Sequence, residues 1–395
     1  MVINNNTYCL VLGGYLNAYE IIRGLKENSI SNIANFDNSK DITYFSNLVS
    51  YFRTIELTSN SLLKEINKLK DRCDYIIIYP TDDLQIELLV EIYDKIASFC
   101  YIPFNKENIL NCLDKRFQYQ FCEKNNIPYP KSIEFDDVQQ LESLKRLVFP
   151  LIMKPIKRDD VNTDVFRALI IQNYQDIEEY SSELERFISK GIKFIVSEYI
   201  PGDDTNIYAY TAFRSKNGEI LNYFLGKKLN QYPNLVGVFS SATNICPEIV
   251  AKQGKELLTG LNIFGIAEPE FKYDVRDGKY KLTEINLRSM MWHRLGVLQG
   301  VNLQYIQYLD AMNISCEEGN DSCLDSTINY VFLNHEILNL IFRKSYWKYF
   351  KHNVFSKKVC FALYNKNDLK PFLYSIVILL PKMFISRCLK LLHIK

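Results

Sequence analysis

The sequence predicts a parallel α/β domain followed by two α+β lobes, and three observations carry that reading. Tyr8-Cys-Leu-Val-Leu12 is an apolar strand that runs into Gly13-Gly14 and then a helical pattern from Ala18 to Leu25. Strand and helix patterns keep alternating through Ile96, as they do where strands lie parallel in one sheet. Between Ala267 and Arg288, two strand-like runs flank Asp277-Gly278 and carry carboxylates where apolar residues would be expected.

At 395 residues the chain has room for two or three domains, and 47 % hydrophobic with 24 % charged residues is ordinary for a folded soluble protein. Lys+Arg number 47 against 46 Asp+Glu, so the chain as a whole has no electrostatic footprint for nucleic acid, and no nucleic-acid partner is expected. Ten cysteines are scattered without a Cys-x-x-Cys pair, which suggests neither a zinc knuckle nor a disulfide framework and suits a reducing, cytoplasmic setting. The N-terminus has no basic segment before its apolar run, against a secretory signal. The longest mainly apolar run, Phe372 to Leu380, is expected to stop at Pro381, well short of the ~20 residues that cross a bilayer.

Taken in order, the first domain (1–125) adds a helix over Ser61–Lys70, a strand over Tyr75–Tyr79, the loop Pro80-Thr81-Asp82-Asp83, a second helix through Ile96 and a helical pattern from Lys106 to Glu123. In such a sheet the loops after the strands line the crevice, so Gly13, Gly14 and the Asp82 region face it. Asn125 to Pro130 reads as a turn with an extended exit. The second domain (126–313) holds a helix around Asp137–Arg146, strands Leu151–Lys154 and Phe166–Ile171, a helix Asp176–Lys190 and a strand Phe194–Glu198. Its mobile lobe is expected over about 149–200. The other lobe, 201–313, begins with strands Asn206–Phe213, Ile220–Lys228 and Val238–Asn244. A helix Ile249–Leu261, the carboxylate hairpin and a helix Val301–Asp310 complete it. The polar stretch Glu317–Ser326 connects to an extension, 314–395.

The hairpin reads as a metal site if Arg276, Asp277 and Gly278 form a three-residue loop with Gly278 left-handed. Val275 then pairs with Lys279, and Glu270 faces Glu284 with Asn286 on the same side. Opposed β-carbons sit ~5 Å apart, close enough for Glu270, Glu284 and Asn286 to share one or two hard cations. Oxygen ligands without His or Cys favour Mg²⁺, with Mn²⁺ as a substitute, and Arg288 at the strand end would meet an anion carried by the metal. A two-residue Asp-Gly turn would instead send Glu270 to the opposite face.

Other residues have two readings each. Lys154 ends an apolar strand and either meets a phosphate or reaches solvent. Glu198-Tyr199-Ile200-Pro-Gly-Asp-Asp204 is a turn, or an edge for an adenine ring with a carboxylate near ribose. Lys227 and Lys228 decorate a strand end or steady a phosphate. Gly13-Gly14 lacks the full dinucleotide fingerprint and reads more simply as a tight turn.

In this order the pieces resemble the ATP-grasp superfamily and, within it, the carboxylate–amine ligases of D-aspartate ligase type. The resemblance covers about residues 7–310 and rests on Val11–Tyr19, Asp114-Lys-Arg-Phe117, Pro150–Pro155, Tyr199–Asn206 and Phe271–Arg288. It implies an N-terminal α/β domain and two lobes clamping ATP. Lys115 and Lys154 would contact phosphates, Glu198 with the backbone of Tyr199 and Ile200 would read adenine, and Asp204 would approach the ribose. Glu270, Glu284 and Asn286 would hold Mg²⁺, while Arg288 and Lys228 would stabilise the transferred phosphoryl group. The implied reaction joins a carboxylate to an amine through an acyl phosphate. Gly13, Gly14, Asn17, His293 and Arg294 are candidates for substrate contact, and a homodimer is one expected assembly. The segment after Lys154 has no glycine, unlike the phosphate lid of many family members, and Lys157 or Arg158 would take that role. An ATP-grasp phosphotransferase acting on a hydroxyl and a non-catalytic ATP-binding protein are the alternatives.

Residues 370–395 mix Phe, Ile, Leu and Met with Lys382, Arg387, Lys390 and Lys395, a composition found in helices that rest on anionic membranes. On a helical wheel these basic residues spread over more than half the circle, which suits a helix docked on the protein's own core. Peripheral membrane contact, near envelope-glycan intermediates, is the other reading.

Overall fold

Alternate residues of the first strands belong to two different cores, and that division builds the N-terminal domain. A computed structural model describes residues 6–156, 165–166, 168–234, 237–315 and 327–392. Strands β1 (Thr7–Leu12), β2 (Ile33–Asp37), β3 (Tyr51–Thr54), β4 (Tyr75–Tyr79) and β5 (Cys100–Tyr101) form a parallel sheet in the order β3-β2-β1-β4-β5. Leu10, Leu12, Ile76 and Ile78 are buried on one side and Cys9, Val11, Ile77 and Tyr79 on the other, so both faces are covered, as a parallel sheet requires. Helices α1 (Leu16–Glu27), α2 (Ser59–Lys70) and α3 (Asp83–Ile96) connect the strands. Asp82 starts α3 with a capping box completed by Gln85. Because β2 lies on one side of β1 and β4 on the other, the loops after β1 and β4 open into a switch-point crevice.

The helical pattern expected from Lys106 is divided into α4 (Ile109–Leu113) and α5 (Lys115–Asn125). Asp114 causes the break: its backbone is extended and its side chain accepts from Arg116 N, capping α5. The following four-stranded antiparallel sheet comprises β6 (Ser132–Phe135), β7 (Leu151–Pro155), β8 (Leu169–Ile171) and β9 (Phe194–Glu198), ordered β6-β9-β7-β8. With α6 (Tyr174–Ser189) it encloses its own core around Phe135, Met153, Phe187 and Phe194. Strand β6 joins this sheet from before residue 149, and residues 138–146 are a 3₁₀ segment. Lys157 and Arg158 lie outside the described residues, as does the connector 317–326.

The third sheet has seven strands: β10 (Ile207–Arg214), β11 (Ile220–Tyr232), β12 (Val238–Thr243), β13 (Gly265–Asp274), β14 (Lys279–Asn286), β15 (Asn329–Val331) and β16 (Val359–Phe361). Their order is β14-β13-β10-β11-β12-β15-β16. Residues 327–392 thus supply the last two strands of this seven-stranded sheet. Helix α7 (Glu248–Gly260) covers one face, where Gly254 lets Tyr210 approach. Helices α8 (Arg294–Leu298) and α9 (Leu303–Ala311) follow the hairpin, and α10 (Leu333–Phe342) and α11 (Trp347–Val354) separate β15 from β16.

The chain closes with α12 (Lys370–Tyr374), a π turn (Ser375–Leu379) and α13 (Leu380–Leu392) in one run. Pro381 does not stop the helix as expected: the widened turn just before it accommodates the missing N–H donor. The uninterrupted stretch Lys370–Leu391 is 22 residues, long and apolar enough to cross a membrane, and almost none of it is buried.

Candidate active site

Two deviations from a regular hairpin cancel to build the site. The turn holds four residues, with Asp274 opposite Lys279, rather than the three that would pair Val275 with Lys279. A bulge between Leu282 and Glu284 shifts the register back by one, so Glu270 and Glu284 stand directly opposed as the sequence pattern required. The same bulge sends Leu282 to the core while Glu284 faces the site, although plain alternation would put both on one side. Gly278 is left-handed at φ +70, which closes the turn. Glu268 pairs with Asn286, so it shares the face of Glu270.

Three lysines from three parts of the chain converge on these acids. Lys115, the first residue of α5, reaches Glu284 at 3.0 Å. Lys228 of β11 donates to Glu270 in a pair buried on both sides. Lys154, on β7 of the other lobe, adds its field at Glu284. Lys115 comes first among the influences that hold the Glu284 carboxyl well below the usual range. Burial and the neighbouring Glu284 charge push Glu270 the other way, above its ordinary value, against the pull of Lys228. Burial lowers Lys115 and Lys228, but the facing carboxylates more than reverse it.

The residues fit a hard divalent cation. The ammonium groups act as stand-ins for one between the carboxylates, and the buried Asn286 amide nitrogen has no partner. That nitrogen would meet a phosphate oxygen, or a flipped amide would turn its oxygen toward a metal. Among the described residues no group of three or more His, Cys, Asp or Glu is arranged to hold a metal, so the oxygen set is two carboxylates and one amide.

Arg288 stands at the strand end, mostly buried, with Nε donating to Asp83 at 2.7 Å and Nη2 at 3.3 Å. Asp83 opens α3, so this pair joins the hairpin to the crevice of the parallel sheet. Asn17 adds a second tie, donating to the carbonyls of Thr81 at 2.9 Å and Ser289 at 3.5 Å. Gly13 and Gly14 make a tight turn: Gly13 has φ +93, and a β-carbon on Gly14 would lie 2.2 Å from Asp37 Oδ2.

His293 and Arg294 are each held by a carboxylate away from Glu270 and Glu284. The buried His293 ring accepts from Met290 N at Nδ1 and, in that tautomer, donates from Nε2 to Glu268 at 2.9 Å. Trp292 and Thr211 also donate to Glu268, which ties the loop after Arg288 to the sheet. Arg294 is held by Glu27 at 2.9 Å. Asp204 is also turned inward, accepting from the backbone and side chain of Gln231 at 3.0 Å each, rather than offering a free carboxylate to a ribose. Glu198 accepts from Val148 N at 3.1 Å, and Tyr199 N donates to Pro150 O. Ile200 is buried beside them, and this stretch links the two antiparallel sheets. A cavity of about 420 Å³ lies elsewhere, between β11 and α11 beside Lys227, Lys348 and His352, and its lining has no carboxylate for a cation.

A search for known relatives fits this geometry. A D-aspartate ligase from Enterococcus faecium (strain Aus0004) is 26 % identical over 250 residues, which are 60 % of this chain and 58 % of that relative. A crystal structure of N5-carboxyaminoimidazole ribonucleotide synthetase with ADP superposes with a TM-score of 0.64 at 16 % identity, covering 86 % of this chain and 85 % of the other. This chain has the ATP-grasp fold. The biotin carboxylase domain dimer of Hydrogenobacter thermophilus 2-oxoglutarate carboxylase, solved with Mg-ADP and bicarbonate, gives a TM-score of 0.64 at 14 % identity over 81 % and 73 % of the two chains. No protein-family model matches the chain. Glu268 and Asp83 are the site residues that the sequence pattern did not single out. Glu268 stood two positions from Glu270 and could have been found by the same alternation; Asp83 could not, because its partner is about two hundred residues away.

Proposed function

We propose that this protein is an ATP-dependent carboxylate–amine ligase that forms an amide through an acyl phosphate and releases ADP and phosphate. The observation that carries the reading is the opposed Glu270–Glu284 pair with Asn286 beside it, met by lysines from three parts of the chain. Likeness to a D-aspartate ligase supports an amino acid as one substrate. Because the match spans 58 % of that relative, both substrates belong to the proposal.

Glu270, Glu284 and Asn286 would hold Mg²⁺, which when bound supplies positive charge beside the terminal phosphates of ATP. Lys115, Lys154 and Lys228 would exchange their carboxylate partners for phosphate oxygens, and Arg288, fixed by Asp83, would meet the phosphoryl group in transfer. An oxygen of the substrate carboxylate attacks the γ-phosphorus while the bond to the ADP oxygen breaks. The amine nitrogen then attacks the acyl carbon, phosphate departs with the linking oxygen, and the amine proton leaves to solvent or a nearby acid. The lobe carrying Lys154 would close to keep water from the acyl phosphate.

ADP release with Mg-ATP and a panel of amino acids and other carboxylates, singly and in pairs, tests this. A requirement for both a carboxylate and an amine, an amide product by mass, and loss in Glu284→Gln are expected. A phosphorylated hydroxyl product would replace the ligase with a phosphotransferase, and tight ATP binding without turnover would favour a binding protein.

A further inference from the structure

Charge is divided unequally along this chain. Residues 327–395 hold twelve Lys and Arg against two acids, Glu336 and Asp368, while the preceding 326 residues hold 35 against 44. Both acids of the basic segment are buried: Glu336 accepts from Ser240 and Tyr346, and Asp368 from Ser46 and the Asn47 backbone. The described surface of this segment therefore carries no acidic side chain.

The terminal helix rests on the protein along one side. Tyr374 stacks on Phe45 at 4.2 Å, the Ser375 carbonyl accepts from Asn334, and Phe384 meets Phe342. The opposite side is apolar and open. Leu373, Val377, Ile385 and Leu389 are 55, 63, 57 and 51 % exposed. With the exposed Pro381 they repeat every four residues and form one continuous row. The adjacent row contains Ile378, Lys382, Ser386 and Lys390, so a basic edge borders the apolar one. The same segment also exposes Trp347 and Phe355.

We propose that the face of the 370–392 helix formed by Leu373, Val377, Pro381, Ile385 and Leu389 seats the protein on an anionic phospholipid membrane. The helix lies in the plane of the interface, with Lys382 and Lys390 at the headgroups. Charge complementarity selects this occupant: a bilayer with anionic headgroups matches both the apolar row and a surface stripped of acids. A second copy of this chain would set two basic segments against each other. Contacts through Tyr374, Ser375 and Phe384 hold the helix against the folded domains, so it lies along the membrane rather than through it.

The test is co-sedimentation of the full chain with vesicles of equal parts phosphatidylglycerol and phosphatidylcholine, beside phosphatidylcholine alone. Binding to the anionic vesicles and not to the neutral ones is expected, with release at high salt. Val377→Glu with Ile385→Glu should abolish sedimentation while leaving ADP release and the thermal melt unchanged, because both side chains are more than half exposed. Each basic residue near an anionic surface contributes about fivefold, so Lys382→Gln with Lys390→Gln should weaken binding roughly 25-fold. Failure of the wild type to sediment, or unchanged sedimentation of the Val377/Ile385 variant, would overturn the proposal. Conversion of a wild-type dimer to a monomer by that variant would assign the face to a second copy, and retention after alkaline extraction would replace the seated helix with a spanning one.

Discussion

Replacing Lys228 by Met leaves Glu270 as a lone carboxylate in a site where both partners are over nine-tenths buried. Removing one member of a buried pair costs about 3–5 kcal/mol, because the remaining charge keeps its desolvation penalty. Glu270 already sits above its ordinary pKa through burial and Glu284, and losing the pull of Lys228 moves it further the same way, so protonation relieves part of the penalty and the loss lies at the low end, about 3 kcal/mol. The folded variant then binds more protons than the unfolded chain, so its deficit shrinks as pH falls and grows as pH rises. For a cooperative unit of the size of the seven-stranded lobe this corresponds to a Tm lowered by roughly 6–10 °C. Two additions separate the metal site from an ordinary ion pair. Mg²⁺ should restore much of the lost Tm, since a cation at Glu270 and Glu284 replaces the ammonium group. The double variant Lys228→Met/Glu270→Gln should melt well above the single one and lose the response to Mg²⁺. Thermal melts across Mg²⁺ concentration and pH read all of these. A single variant as stable as wild type, or one whose deficit Mg²⁺ leaves untouched, would refute the reasoning.

Three further outcomes follow from other contacts. Asp83→Ala releases the guanidinium of Arg288 without touching Glu270 or Glu284, so ADP formation should fall 10- to 100-fold in kcat with the KM for ATP little changed; a change confined to KM would contradict that role. Gly14→Ala sets a methyl group 2.2 Å from Asp37 Oδ2 and should cost about 1–3 kcal/mol in unfolding free energy, whereas a neutral effect would mean the turn relaxes freely. His335 is buried with its pKa pushed down to about 4 by desolvation, so its stabilising contribution is complete above the unfolded value near 6.5 and is lost as pH falls from there toward 4. Over that window the unfolding free energy should drop about 1.4 kcal/mol per pH unit more steeply in wild type than in His335→Asn, and parallel slopes would exclude His335 as the source.

Local chemistry was legible where a single segment decides it. The apolar strands Tyr8–Leu12 and Tyr75–Tyr79, the hairpin acids and the left-handed Gly278 were read from neighbouring residues alone. The opposition of Glu270 and Glu284 was legible too, although by a route that differs in detail. A four-residue turn followed by a bulge gives the same pairing as the expected three-residue turn, and sequence parity cannot distinguish them. What the sequence left hidden depends on distant partners. His293 and Arg294 follow Arg288 closely, yet Glu268 and Glu27 hold them, and nothing near them in the chain announces those acids. Asp204 is likewise held by Gln231 of a neighbouring strand. Pro381 suggested a helix end, but a π turn ahead of it carries the helix through, a backbone adjustment with no residue signature. Strands β15 and β16 are three residues each and join the large sheet only because β12 offers an edge.

Transfer of oxygen from substrate to phosphate tests the central claim most directly. With the carboxylate substrate labelled in both oxygens by ¹⁸O, the phosphate released from Mg-ATP should carry one labelled oxygen, read by the isotope shift in ³¹P resonance, because the carboxylate oxygen that attacks the γ-phosphorus leaves with it. Phosphate without label, formed alongside product at the same rate, would contradict an acyl phosphate and with it the role assigned here to the Glu270–Glu284 site.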